Sequence, residues 1–179
     1  DAEAGVLKPG CGWLPPDWMP QTAIRRALRQ AARSANATLT DYGSSSGALS
    51  LRRSLARQFA EEGLELGPEA ILLTASGSQA VDLICRALLR PGDTVLVDDP
   101  CYFNFQALIK AHHLQAVAIP FTENGPDIEH FAQAISLKPK IYLTNSGIHN
   151  PTGATLSLKT AYQISRIVEQ SNMLIIEDE

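Results

Sequence analysis

With 179 residues, 45% of them hydrophobic and 19% charged, the chain is long enough for one well-buried core and too apolar to stay disordered. A net charge of −4 argues against a surface that itself coats nucleic acid, and no apolar run reaches the roughly 20 residues of a membrane helix. Cys11, Cys85 and Cys101 are odd in number and far apart, which fits neither a disulfide framework nor a metal-binding pair. His112, His113, His130 and His149 lack helical spacing to a carboxylate, so no metal site is expected. The first residues, Asp1 to Gly5, show no basic stretch followed by an apolar one. The expected compartment is therefore a reducing cytoplasm, with no membrane partner.

An irregular opening from Pro9 to Pro20 precedes a predicted helix over 21–35, with Ile24 and Leu28 on one stripe. Arg25, Arg29 and Arg33 share another, which reads as a solvated or partner-facing surface. A loop from Asp41 to Gly47 leads to a helix over 48–62 that turns Leu51, Leu55 and Phe59 inward. Ile71-Leu72-Leu73 reads as a short buried strand and residues 78–89 as a helix. Val95-Leu96-Val97 is the next strand, after a turn at Pro91-Gly92-Asp93. A helix near 103–112, a strand over 114–119, a turn through Asn124-Gly125-Pro126 and a short helix from Asp127 follow. Ile141-Tyr142-Leu143 is a strand, 157–170 a helix, and 173–176 a last strand. Short leucine-rich or β-branched runs separated by helices predict an α/β fold, a mainly parallel sheet with helices on both faces. The expected organisation is an N-terminal arm and first helix over 1–40 and a sheet domain over 41–179.

Ligands of such sheets lie outside the carboxyl ends of the strands, so polar motifs just beyond strands are the candidates. Ser76-Gly77-Ser78-Gln79 opens an apolar helix, which gathers free N–H groups and the positive helix end at one place. Gly77 permits close backbone approach, and a phosphate suits the site, although an ordinary serine-capped turn has the same residues. The Gly-Lys-Ser/Thr ending of a nucleoside-triphosphate loop is missing. Tyr102, after Asp98-Asp99-Pro100, can stack on a flat heterocycle or simply anchor its loop. Asp98 and Asp99 read as solvated or capping carboxylates rather than an acid–base pair. In Asn150-Pro151-Thr152-Gly153 the proline biases Asn150 to extended backbone, from which its amide can project as a donor, while His149 reads as a packing or turn residue. Asp178 ends the last apolar run. Buried there, it needs a cationic or hydrogen-bonding partner, which a protonated pyridine nitrogen would supply; facing outward, it needs only solvent.

In this order, these motifs resemble the cofactor half of fold-type I pyridoxal-phosphate (PLP) proteins, the class I/II aminotransferase superfamily, from about residue 20 to the end. The resemblance implies a partial PLP-dependent transferase-like large domain with an N-terminal arm, and pyridoxal 5′-phosphate as cofactor. It implies phosphate on the backbone of Gly77, Ser78 and Gln79, Tyr102 stacked on the ring, Asn150 on the phenolic oxygen and Asp178 at the ring nitrogen. Tyr42 matches a family tyrosine that reaches the neighbouring subunit's phosphate, so a homodimer is implied. Asp99-Pro100-Cys101-Tyr102, the loop from Asn145 to Pro151 and Glu177-Asp178-Glu179 are similar to the MocR subgroup of GntR-type transcription regulators. There a small amino compound would be the effector, and DNA would be bound only through a domain not in this chain. Standalone class I aminotransferases, which pass an amino group from an amino acid to a 2-keto acid, share most of these pieces. The opening Gly10-Cys11-Gly12-Trp13 differs from the usual substrate-side arm of either group, which leaves the substrate open. The resemblance places the family's Schiff-base lysine after Asp178, where this sequence has none, so no catalytic residue is expected within the chain. Lys8, Lys110, Lys138, Lys140 and Lys159 read as surface charges.

Overall fold

The computed structural model describes residues 14–33 and 42–179. Lys8, Cys11, the opening from Pro9 to Trp13, residues 34–35 of the expected first helix and Asp41 lie outside the described residues. The chain divides into two compact units, Asp1–Ala48 and Leu49–Glu179. In the first, a 3-10 turn at Pro16–Trp18 precedes helix α1, Gln21–Arg33, and residues 42–48 form a loop.

The second unit carries α2 (Leu49–Glu61), α3 (Gly77–Leu88), β1 (Thr94–Asp99), α4 (Phe103–Ala111), β2 (Gln115–Thr122) and β3 (Gly125–Pro126). It continues with α5 (Ile128–Ala134), β4 (Ile141–Thr144), α6 (Leu158–Glu169) and β5 (Leu174–Glu177). The sheet runs β3-β2-β1-β4-β5. β1 pairs in parallel with β2 and β4, β4 in parallel with β5, and only the short β3 is antiparallel.

Strand alternation sorts the core to the two faces of this sheet. On one face Val95, Val97, Ile141 and Leu143 meet Val81 and Cys85 of α3 and Phe105 and Ile109 of α4. On the other, Leu96, Ile119 and Tyr142 meet Phe131 of α5, Ile164 of α6 and Met173. Helices α3, α5 and α6 begin at side-chain caps that satisfy free N–H groups: Ser76 Oγ accepts from Gln79, Asp127 from His130 and Ser157 from Thr160. Gly125, at φ +113°, favours glycine, because that backbone conformation strains any residue with a Cβ, which would also crowd Leu156 and Thr160. Among the described residues no helix is long and apolar enough to cross a membrane, and no cluster of His, Cys, Asp or Glu could hold a metal ion.

Two expectations need correction. Ile71-Leu72-Leu73 is not a buried strand: the segment pairs with no strand among the described residues, and Leu72 is exposed. A strand exists through hydrogen bonds to a neighbour, and an apolar run by itself does not supply one. On α2, Leu51 is exposed, Leu55 and Phe59 are half-buried, and the buried residue is Ala56. This helix packs on the 3-10 turn Pro68–Ala70, where Arg52 Nη1 donates to the Pro68 carbonyl at 2.7 Å, so its inner stripe is narrower than periodicity alone suggests.

Candidate functional site

The carboxyl ends of β1 and β5 and the start of α3 enclose an open cleft of ≈ 360 Å³. Ser76, Gly77, Ser78, Tyr102, Phe105, Leu108, Asn150 and Asp178 line it. Gly77, Ser78, Tyr102, Asn150 and Asp178, nominated from four separated stretches of sequence, are therefore brought together. Gln79 and Tyr42 are not among the lining residues. The Gln79 amide donates to Ser76 Oγ at 3.2 Å, and its side-chain Oε1 accepts from the Ala75 N–H at 2.7 Å, so both groups serve the start of α3. Tyr42 lies in the first unit and is fully exposed.

At the α3 N-terminus the Gly77 and Ser78 amides precede the first intrahelical bonds and face outward with the positive helix end. A Cβ on Gly77 would stand 3.1 Å from Asp178 Oδ1, so the glycine lets this backbone approach the carboxylate. Tyr102 sits edge-on to Phe105, with ring centroids 5.6 Å apart at 88°. Its hydroxyl accepts from Asn104 Nδ2 at 2.8 Å, and the same amide lies 3.3 Å from Ser78 Oγ. Asn104 thus ties the aromatic wall to the helix start. Sequence reasoning missed it, because an asparagine in the first turn of a helix carries no distinguishing pattern.

Asp178 is held by its main chain: its N–H donates to the Thr144 carbonyl at 3.0 Å, and its own carbonyl accepts from Asn145 Nδ2 at 2.6 Å. The same Nδ2 lies 3.3 Å from Asp178 Oδ2.

At the end of β1 the structure corrects the reading of Asp98. Far from being solvated, it is 2% exposed. It accepts from Tyr142 Oη at 2.6 Å, from Thr144 Oγ1 at 2.7 Å and from the Asn145 backbone N–H, with His149 Nε2 at 3.5 Å. Asp99, its neighbour, is exposed. In β1 the alternating face that buries Leu96 buries Asp98 too, and only the donors on β4 show that a carboxylate belongs there. Burial raises the Asp98 carboxyl above its ordinary value, opposed by the Tyr142 and Thr144 hydrogen bonds. The same burial, with the Asp98 charge beside it, pushes the Tyr142 phenol far up.

His149 is a buried packing residue at the head of the Asn150 loop. Its ring stacks on Phe121 at 3.7 Å and 10°, and its Nδ1 pairs with Thr152 Oγ1 at 2.7 Å. Burial lowers its pKa from the ordinary 6.5, more than the Asp98 charge restores it. A depressed folded value means stability that is complete above about pH 6.5 and lost as pH falls through the folded value. The thermal midpoint should accordingly drop on acidification below pH 6.5, and His149→Gln should flatten that part of the curve. Identical acid slopes for the two proteins would rule His149 out as the titrating group.

A profile for the family "Aminotransferase class I and II" matches residues 16–179. The chain is 29% identical over 168 residues to an uncharacterized HTH-type transcriptional regulator, YdcR, of Escherichia coli, covering 92% of this chain and 36% of that protein. It is 31% identical to the aspartate/prephenate aminotransferase of Thermus thermophilus, covering 88% of this chain and 40% of the relative. Among solved structures, an archaeal alanine:glyoxylate aminotransferase superposes with a TM-score of 0.85 at 26% identity, covering 91% of this chain and 42% of that one. Thermus thermophilus aspartate aminotransferase with maleate superposes at 0.76 with 29% identity, over 89% of this chain and 41% of that one. The chain spans about two-fifths of the length of these relatives.

Proposed function

Since the chain belongs to the class I and II aminotransferase family, whose cofactor is pyridoxal 5′-phosphate, we propose that the cleft between α3 and the ends of β1 and β5 is its cofactor seat. The observation that carries this reading is the convergence of Gly77, Ser78, Tyr102, Asn150 and Asp178 on one cleft. Its volume falls within the roughly 300–1,000 Å³ usual for small-molecule sites. The donor set fits the group. The Gly77 and Ser78 amides at a helix N-terminus would hold the phosphate, and the Gln79 amide would share in this only by leaving Ser76. The Tyr102 face, set edge-on by Phe105, would cover the ring. The Asn150 amide would donate to the phenolic oxygen, and the Asp178 carboxylate would meet the ring nitrogen. Tyr42 is proposed to reach the phosphate of a second subunit in a homodimer. When bound, the cofactor supplies an electron-withdrawing ring that takes up the electron pair left beside an amino-bearing carbon. The part of this chain is to bind and orient that ring and to exclude water from its Tyr102 side.

For the whole protein we propose the effector-sensing domain of a MocR/GntR-type regulator located in the cytoplasm, where a small amino compound biases DNA-binding domains between two arrangements. Similarity to the HTH-type regulators YdcR and YdfD, the second from Bacillus subtilis, supports this reading. The second reading, a standalone aminotransferase, is supported by the Thermus thermophilus relative at 31% identity. The natural reading frame separates them: operator binding modulated by an amino compound for the first, amino transfer to a 2-keto acid without DNA binding for the second.

The seat itself is tested by titrating this chain with PLP, followed by absorbance, and then reducing with borohydride. Among the described residues no lysine lines the cleft, so binding should be saturable, abolished by free phosphate in excess, and not fixed by the reductant. A stoichiometric adduct on Lys110 or Lys159 would place the site elsewhere.

A further inference from the structure

We infer that Asn145 is a positioning residue for the ring nitrogen, acting through Asp178. This rests on the reading of Asp178 as the group that meets that nitrogen. Asn145 directly follows β4, is 8% exposed, and is held by its own backbone, whose N–H donates to the buried Asp98 carboxylate. From that fixed point its Nδ2 reaches the Asp178 carbonyl at 2.6 Å and Oδ2 at 3.3 Å. Both targets are acceptors only, which settles which end of the amide faces them. Its Oδ1 is buried and, among the described residues, has no hydrogen-bond partner.

The asymmetry is informative. A buried acceptor without a donor costs folding energy. The contribution of Asn145 is the donor. By engaging Oδ2 it stops the Asp178 carboxylate from rotating, and it leaves Oδ1 on the Gly77 side, where the cleft opens. Asp98 thereby anchors this side of the site. Through the Asn145 backbone and side chain it sets Asp178.

The test compares PLP with its carbocyclic analogue, in which a C–H replaces the ring nitrogen, on the full natural protein. The wild type should prefer PLP. Asn145→Leu removes both the donor and the orphaned oxygen, so the protein should fold while its preference for PLP over the analogue falls about tenfold, analogue affinity staying within about twofold. Should the leucine variant fail to fold, Asn145→Ser, whose hydroxyl is too short to span to Oδ2, should give the same change in ratio. A parallel loss for both ligands, or no change in the ratio, while Asp178→Ala still erases the preference, overturns the role of Asn145 and leaves that of Asp178 standing. If Asp178→Ala also keeps the full preference, the assignment of Asp178 to the ring nitrogen falls, and the inference with it.

Discussion

Asp98→Ala should come close to unfolding the sheet domain. The variant strips the common acceptor from Tyr142 Oη, Thr144 Oγ1 and the Asn145 N–H, all in or beside the buried strand β4. Leaving buried donors unpaired costs about 1–3 kcal/mol each, against a total stability of about 5–15 kcal/mol for a domain. Urea unfolding followed by far-UV circular dichroism measures it. Asp98→Asn, whose amide oxygen still accepts from one hydroxyl, should lose less than the alanine variant. An alanine variant within about 1 kcal/mol of wild type would mean that water replaces the carboxylate, and that the node is not a structural centre.

Asp178→Ala should weaken PLP binding about ten- to a hundredfold, the range that a lost hydrogen bond to a charged group gives. Folding should be nearly untouched. The bonds that fix this residue to β4 and Asn145 in the main chain, from its N–H to Thr144 and from Nδ2 to its carbonyl, survive the substitution. Spectrophotometric titration together with a thermal melt separates the two effects. Unchanged affinity would remove Asp178 from the seat, whereas a matching fall in the melt would assign it a structural role instead.

These two carboxylates show how far sequence reading reached. Asp178 was legible because it ends an apolar run at the edge where ligands of parallel sheets bind, and its place in the order of motifs resembles a known family. Asp98, beside Asp99 after a strand, reads in sequence as a solvated or capping carboxylate. Its three donors come from residues 142–145, more than 40 positions away, and no local pattern links them to it. The contacts of Asn104 and Asn145 are illegible for the same reason: each is one polar residue whose partners are set by packing.

The sequence by itself determined the alternation of short strands and amphipathic helices, the parallel character of the sheet and the edge that carries Gly77, Ser78, Tyr102, Asn150 and Asp178. Those properties follow from local periodicity, capping and the short reach of turns, all written within a dozen residues. Only the tertiary structure decided that Ile71–Leu73 forms no strand, that Gln79 serves its own helix, and that a buried Asp98 joins β1 to β4. Each of those depends on whether a backbone or polar group far along the chain arrives within hydrogen-bond distance, about 3 Å, and hydropathy carries no information about that.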